Sequence, residues 1–360
     1  MANILYDNAT SPDSWGGTKG YPTADVSGIV GASSGGLKIL LKWTDPEDTV
    51  LDNIMLAQWQ STLIVRKING IPESVKDGIL IFENTVRNKH QNTWYEDTNS
   101  LLDGATYYYR FFTKSTEGII GDGSPTVKVT AVNYDPVLSN NSWEIISEAA
   151  ESGAAAEIWN IGDEVEIYIN TWNETHIMQI WDFNRYDKVD GSGKAGIVFG
   201  SKYLTNRTTS MSVDRYGPYG WEYSEGRRDL ASMYSLLPQD IQSVVKEVKT
   251  YSNYNTGIGY TYSKESHDKI FIPNSAEVGT NTNIYSNAGE TPPIMSKFPI
   301  FTDNSSRMKR IYNEFGEYES WWVRDLEDDS ASTYNIVSEY GNDSATADYQ
   351  DKHFSFCFCI

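Results

Sequence analysis

Three groups of residues in this chain carry side chains that catalysis or metal binding could use. The sequence GASSG at residues 31–35 matches the G-x-S-x-G pattern, in which a serine attacks from a sharp strand-to-helix turn with a histidine in reach. Because the pattern here precedes a predicted strand, we interpret it as a loop. The four histidines lack HExxH or related spacing, so we predict ordinary surface or packed residues: His90, His176, His267 and His353.

The third group consists of Cys357 and Cys359, which lie two residues apart. In a strand this spacing puts both side chains on one face with their Cα atoms roughly 6.6 Å apart, near the upper limit for a disulfide. No CxxC motif or Cys/His cluster accompanies them, so we predict two buried, reduced thiols, no metal site and no cofactor. The number of carboxylates alone does not exclude a glycosidase that uses a pair of acidic residues. We nevertheless predict that the protein is not an enzyme.

Residue types typical of ligand recognition are more evident in this sequence than residues arranged for catalysis. Tyrosine, serine, asparagine and aspartate dominate residues 324–355, and this composition is typical of binding surfaces such as antibody loops. The alternative is a polar surface hairpin without a partner. We predict a ligand-binding face formed by ten residues: Trp322, Asp325, Glu327, Ser332, Tyr334, Asn335, Tyr340, Asn342, Asp343 and Tyr349.

The acidic residues of this stretch suggest a calcium site as an alternative role. Asp325, Glu327, Asp328 and Asp329 could supply the oxygen ligands that calcium prefers. They lack the EF-hand pattern, so we favour a solvated acidic loop and predict no metal.

Length and charge limit the classes of function. A chain of 360 residues suits two or three domains. Lysine plus arginine number 29 against 49 aspartates and glutamates, a net charge of −20, which disfavours nucleic acid and anionic lipid as partners. The sequence contains no apolar run of the roughly 20 residues that membrane insertion requires, and residues 1–7 lack the pattern of a signal peptide. We therefore expect synthesis in a cytoplasm.

The first third of the chain has the pattern of a β-sandwich. Residues 1–20 are polar and suggest an extended arm. Leu37, Ile39, Leu41 and Trp43 fall on one face of a predicted strand with Lys38 and Lys42 on the other, the period of two that a half-buried strand requires. Further strands are predicted near residues 61–67, 78–82, 106–113 and 126–132, with an insertion around residues 48–60.

This part resembles a fibronectin type III domain, in the versions found in phage tail proteins. The sequence LLDGATY at residues 101–107 resembles the corner before strand F of that family, in which a tyrosine anchors the corner and Tyr107 is the matching residue. WTDP at residues 43–46 fits the end of strand B. The resemblance implies a sandwich over residues 21–136.

From Ser142 onward the sequence pattern changes from strands alone to helices and strands. Ser142 is placed to cap a short helix, and Gly153 follows the end of that helix. Strands are predicted near residues 164–167, 177–182, 268–273, 320–325 and 354–360. The apolar spacing of residues 238–249 predicts an amphipathic helix, preceded by another that carries Leu230 and Met233.

Residues 137–360 resemble a C-type-lectin-like domain, the fold also found in formylglycine-generating enzymes, that is common in phage and prophage structural proteins. The matching sequences occur in order: SWEII (142–146), WNIGD (159–163), WEYSEGRR (221–228), LP (237–238), FIPNSAEV (271–278) and WWVR (321–324). The ending HFSFCFCI departs from the family's usual glycine and proline. Those enzymes hold copper with a cysteine pair that Cys357 and Cys359 do not resemble.

Together these resemblances imply a mainly β protein with an α+β part: an attachment arm, a fibronectin type III-like sandwich and a C-type-lectin-like domain. They imply a tail protein of a phage virion, made in the host cytoplasm. Its expected partners are other phage tail proteins, further copies of itself in a homo-oligomer, and a host cell-surface glycan or protein bound by the predicted face. The alternative is a purely architectural role, in which the second domain docks on other virion subunits.

Overall fold

The structure is a computed structural model that describes residues 20–212, 220–255, 261–280, 296–312, 316–327, 330 and 332–360. This part of the chain is mainly β with several sheets and short helices, which confirms the predicted class. It divides into two compact units, residues 20–33 with 37–132 and residues 34–36 with 133–360, whereas the sequence suggested a division after residue 136. The predicted arm at residues 1–20 lies outside the described residues except for its last residue.

The first unit consists of antiparallel strands. Their bounds are β1 Ser27–Ser34, β2 Lys38–Thr44, β3 Thr49–Leu51, β4 Ile54–Ala57, β5 Trp59–Ile68, β6 Ile79–Asn84, β7 Tyr95–Asp97, β8 Thr106–Ser115 and β9 Val127–Thr130. One sheet has the order β1-β2-β7 and a second the order β6-β5-β8-β9, while the predicted insertion forms the hairpin β3-β4.

The core of this unit lies between the two larger sheets. Ile39, Leu41 and Trp43 of β2 are buried together with Tyr109 and Phe111 of β8. These residues occupy every second position along each strand, so their side chains point to one face and meet in the same interior. The hydroxyl of Tyr107 accepts a hydrogen bond from the amide of Leu102 at 2.9 Å, which is the corner contact predicted from residues 101–107.

The second unit mixes helices and strands. Its helices are α1 Trp143–Ser152, α2 Ala155–Ile158, α3 Glu225–Met233, α4 Gln239–Val244, α5 Ser275–Val278 and α6 Asn304–Arg307, with single 3-10 turns at Leu138–Asn140, Trp221–Tyr223 and Tyr234–Leu236. Its strands are β10 Glu164–Ile169, β11 Glu174–Phe183, β12 Ile197–Ser201, β13 Thr208–Thr209, β14 Val248–Asn255, β15 Thr261–Asp268, β16 Ile270–Phe271, β17 Trp321–Leu326, β18 Thr333–Val337, β19 Asp343–Ala347, β20 Lys352–His353 and β21 Cys357–Cys359.

Two larger sheets organise the described part of this unit. One has the order β10-β11-β12-β21-β16 and the other the order β13-β20-β17-β18-β19, and β14 and β15 form a separate hairpin. Cys357 and Cys359 lie in β21 between two neighbouring strands, and both are free and fully buried, as predicted.

Local signals determined some helix ends and not others. Ser142 caps α1 by accepting the amide of Ile145, and Gly153 ends it with a φ of 79°, as predicted. The helix predicted for residues 238–249 is too long, because α4 ends at Val244. Lys246 instead pairs with Cys359, and Val248 begins β14. β-branched valines favour such paired strands, and tertiary pairing overrides the helical spacing.

Within the described residues, no helix is both long and apolar enough to cross a bilayer.

Candidate functional site

Four of the ten residues predicted to form a binding face are buried instead. Trp322, Asp325 and Tyr334 have no exposed surface and Asn335 has 3%. Trp322 donates from its indole nitrogen to the carbonyl of Thr209 at 2.8 Å and packs edge-on against Tyr334 at 6.0 Å between ring centroids. These four side chains therefore do not belong to a surface that meets a ligand.

The buried polar members hold the backbone of neighbouring segments. The carboxylate of Asp325 accepts the amides of Asn253 at 3.2 Å and Ser275 at 2.7 Å. The side-chain amide of Asn335 donates to the carbonyl of Leu326 at 3.1 Å. Asp325 is thus occupied inside the fold, and Asp328 and Asp329 lie outside the described residues. Among the described residues no three His, Cys, Asp or Glu side chains are arranged to hold a metal ion.

Strand position explains why the prediction was wrong for these residues. β17 is the central strand of its sheet, and all six of its residues are buried. β18 separates it from the edge and is also largely buried. A strand covered on both faces buries its polar residues with its apolar ones, provided that they find hydrogen-bond partners.

The other six predicted residues remain at or near the surface. Tyr340 is 66% exposed and Tyr349 is 43% exposed. Asn342 and Asp343 are exposed at the end of the β18-β19 hairpin, Glu327 is exposed after β17, and Ser332 is half-buried before β18. We call these six residues the β19 edge, because they flank the edge strand of the sheet: Glu327, Ser332, Tyr340, Asn342, Asp343 and Tyr349.

The turn that carries Tyr340 is held by helix α6. Gly341 has a φ of 74°, and a side chain there would lie 1.9 Å from the carbonyl oxygen of Asn304. The carbonyl of Gly341 accepts from Nε of Arg307 at 2.8 Å, and the side chain of Asn304 donates to that of Asn342 at 2.5 Å. The tyrosine therefore projects from a fixed support, which lowers the entropy lost on binding.

Sequence reasoning missed Asn304 and Arg307, which hold this turn. A signal was present, since the Asp303 side chain caps α6 by accepting the amide of Ser306, and the Ser306 hydroxyl accepts the amide of Asp303 in return. This capping box marks a helix start at residues 303–306.

Charge at the β19 edge is negative. Although Asp343 is exposed as a residue, partial desolvation of its carboxyl group raises its pKa, and the charge of Glu327 raises it further. Two carboxylates so close together repel an anionic ligand and favour one that presents hydroxyl or amide donors.

A buried ion pair supports the sheet beneath the β19 edge. Arg324 of β17 donates to Glu277 of α5 at 2.8 Å, and Tyr186 donates to the same carboxylate oxygen at 2.6 Å. Arg324 also donates to the carbonyl of Tyr251 at 2.9 Å. Two of the sequences that suggested a family, FIPNSAEV and WWVR, thus meet through this contact.

The candidate catalytic residues are dispersed. Ser33 lies in strand β1, 2% exposed, with its hydroxyl bonded to the backbone of Val132. The loop interpretation of residues 31–35 was therefore wrong, and the strand-to-helix turn of a serine nucleophile is also missing there. His90 packs on Trp43 at 4.8 Å, and His176 packs on Phe356 at 5.3 Å.

Comparisons with known proteins assign a family model to part of the chain. A family described as a domain of unknown function, DUF6273, matches residues 199–359, from β12 to β21. No curated protein matches the chain.

Solved structures give weak likenesses. The twitchin kinase region from C. elegans shares 10% identity over 51% of this chain and 29% of its own, with a TM-score of 0.23. The α-L-rhamnosidase from Dictyoglumus thermophilum shares 7% over 96% of this chain and 47% of its own, with a TM-score of 0.24. Because the chain spans less than half of either structure and both TM-scores are low, neither assigns a fold or an activity.

Proposed function

We propose that this chain is a structural protein of a phage or prophage tail, and that its second unit binds a ligand on the surface of the host cell. One observation carries the binding role: the exposed tyrosine, asparagine and carboxylates of the β19 edge lie beside a turn that α6 holds in place. Tyrosine offers a large contact area at low entropic cost, and asparagine adapts its hydrogen bonds to the ligand.

The virion assignment rests on the resemblances. The first unit is proposed to be a fibronectin type III-like spacer, which the corner contact of Tyr107 supports. The second unit is proposed to be C-type-lectin-like, with the Arg324–Glu277 pair joining two of its characteristic sequences. Residues 1–20 would attach to other tail proteins within a homo-oligomer in the virion tail, after synthesis in the host cytoplasm. The proposal involves no catalysis, cofactor, nucleic acid or membrane insertion.

An architectural role is the second candidate, and one observation favours it. The β3-β4 hairpin exposes four large apolar residues by 48–63%: Val50, Leu51, Ile54 and Met55. Adjacent exposed apolar side chains commonly mark contacts with other proteins. In this alternative, the second unit docks on other virion subunits, the hairpin adds a contact from the first unit, and docking is the whole function.

Binding of the full chain to a panel of bacterial cells tests the proposal. We expect Tyr340→Ala and Tyr349→Ala each to weaken cell binding about tenfold, the loss of a good aromatic contact. Tyr168→Ala and Tyr223→Ala are matched controls, because these tyrosines are 47% and 54% exposed elsewhere on the unit. Both should bind like the wild type.

Three results would overturn the proposal. The first is no binding to any cell together with a stable complex with a tail protein, which would establish the architectural role. The second is cell binding that survives both tyrosine substitutions, which would move the site away from the β19 edge. The third is cleavage of a cell-wall polysaccharide by the protein, which would establish an enzyme.

A further inference from the structure

A cavity of about 300 Å³ lies beside helix α3, among residues that the sequence analysis did not assign to a binding site. Its walls come from α3, from residues 205–209 and from Trp172 in the turn between β10 and β11. The volume is at the small end of the range for ligand pockets. The site therefore suits one small ring or one unit of a chain.

The floor of this cavity is apolar. Leu230 and Met233 of α3 are 2% and 1% exposed, and Phe354 is 6% exposed. Trp172 is half-buried at the rim. Such a floor attracts the C–H face of a ligand, because contact there removes apolar surface from water.

The wall on the α3 side is polar. Asp229 is exposed and accepts a hydrogen bond from the hydroxyl of Thr209 at 2.5 Å through one carboxylate oxygen. Within the described residues, no protein group donates to its other oxygen. The hydroxyl of Ser232 donates to the carbonyl of Asp229 at 2.7 Å, so its lone pairs can still accept. This wall therefore offers acceptors to the hydroxyl groups of a ligand.

Arg207 also lines the cavity, and two neighbouring residues restrict its side chain. The guanidinium of Arg207 lies 4.9 Å from the ring centroid of Trp172, and its Nε is 3.9 Å from a carboxylate oxygen of Glu174. The side chain is 56% exposed. Stacking on the tryptophan and the charge of Glu174 restrict its conformation, and its remaining N–H groups can donate to a ligand.

We propose that this cavity binds a neutral sugar ring of a glycan. A pyranose has an apolar C–H face and a rim of hydroxyls that each donate and accept, and the cavity pairs an apolar floor with the acceptors of Asp229 and Ser232 and the N–H donors of Arg207. A polyanion would meet the carboxylate of Asp229 in this cavity, on a chain of net charge −20. The cavity therefore favours a ligand without charge.

The neighbouring surface allows a longer glycan. Asn206 and Tyr312 line a second cavity of about 210 Å³ that shares the segment of residues 204–207 with the first. The rings of Tyr312 and Tyr203 lie 5.2 Å apart, which adds an aromatic surface beside it. A second sugar unit would lie there. The inference needs only these cavities and does not rest on the function proposed for the β19 edge.

The test uses the full chain on an array of neutral oligosaccharides built from glucose, galactose, mannose and N-acetylglucosamine. The best binder on the array is then titrated by calorimetry. We expect Asp229→Asn and Trp172→Ala each to raise the Kd at least tenfold. Asp240→Asn and Tyr168→Ala are matched controls, because both side chains are exposed on this unit and line neither cavity. These controls should leave the Kd unchanged.

A stability measurement and one further variant separate loss of binding at this cavity from loss of folding and from binding at the β19 edge. Asp229→Asn replaces an exposed side chain with one of equal size, so its melting temperature should match the wild type even if Trp172→Ala unfolds. Tyr340→Ala should bind the oligosaccharide normally, which separates this site from the β19 edge. The inference is overturned if no neutral oligosaccharide binds, or if Asp229→Asn leaves the Kd of the bound one unchanged.

Discussion

Arg324 and Glu277 form an ion pair of 2.8 Å in which neither side chain has any exposed surface. The second carboxylate oxygen of Glu277 accepts the amide of Asn274 at 2.8 Å. Because every strong acceptor on the carboxylate is occupied, the pair offsets the cost of removing two charges from water. It ties the central strand β17 to helix α5.

Removing one partner of this pair should be strongly destabilising. We expect Arg324→Met or Glu277→Gln to lower the free energy of unfolding by about 3–5 kcal/mol, because each leaves a buried charge unpaired. Arg228→Met is the control: Arg228 pairs with Glu225 on the surface of α3 with 67% of its side chain exposed, and such a pair contributes about 0–1 kcal/mol. Urea unfolding followed by tryptophan fluorescence measures both. Equal losses in the two variants would contradict the argument.

The same pair gives a pH dependence on the acid side. Burial acts to raise the pKa of Glu277, but the charges of Arg324 and Arg185 outweigh it and hold the pKa below its usual 4.5. A lowered carboxylate pKa contributes stability that is present above pH 4.5 and is lost as pH falls through the folded-state pKa. Glu277→Gln should therefore flatten the loss of stability below pH 4.5 in acid titrations of unfolding.

His176 should destabilise the fold at mildly acidic pH. Burial lowers its pKa from 6.5 to about 4, although a carboxylate oxygen of Glu174 lies 3.3 Å away. Burial also raises the pKa of Glu174, which weakens that carboxylate as a counter-ion. Between pH 6.5 and 4 the unfolded chain binds a proton that the folded chain excludes, so stability falls as pH falls, by about 3 kcal/mol in all.

His176→Phe keeps the contact with Phe356 and removes the titrating group. The difference in unfolding free energy between pH 7 and pH 4.5 should shrink by about 2 kcal/mol in this variant. An unchanged difference would mean that His176 titrates normally in the fold.

Lys309 should make the stability of the fold depend on pH above pH 7. Its amine donates to the carbonyls of Ser201 at 2.6 Å and Lys202 at 3.2 Å, and it lies 4.9 Å from the ring centroid of Trp181. Burial lowers its pKa from 10.5 to about 7. Above pH 7 the unfolded chain holds a proton that the folded chain has released, so this residue makes stability rise with pH.

Lys309→Met should remove that rise, which amounts to about 2 kcal/mol between pH 7 and pH 9. Lys194→Met, at an exposed lysine, should keep it. The unfolding free energies of the wild type and of both variants, measured at pH 7 and pH 9, test this prediction. A rise that persists in Lys309→Met would contradict a neutral, buried amine at Lys309.

The corner of the first unit depends on a single hydroxyl. Tyr107→Phe removes the bond to the amide of Leu102 and should lower the unfolding free energy by about 1 kcal/mol. Tyr108→Phe on the same strand should change it little, because the Tyr108 hydroxyl makes no hydrogen bond within the part of the chain that the structure describes. Thermal melts of the two variants should differ, and identical melts would show that the corner contact contributes nothing.

Local signals predicted several features of the fold. The cap at Ser142, the stop at Gly153 and the alternation that ends at Trp43 depend on neighbours within a few residues, and the structure confirms each. The helix predicted over residues 238–249 failed because Val248 pairs with Asp268, twenty residues away. The cavity beside α3 could not be predicted, because Trp172, Arg207 and Asp229 are brought together only by folding.

From residue type alone the sequence predicted a binding face within residues 324–355, and it predicted strands only at the two ends of this stretch, at residues 320–325 and 354–360. Only the tertiary structure decided which of them face solvent. Tyr334 and Tyr340 are six residues apart and chemically identical, yet the first has no exposed surface and the second is 66% exposed. The reason is position in the sheet: Tyr334 lies on a strand paired on both sides, and Tyr340 lies in the turn that leads to the edge strand.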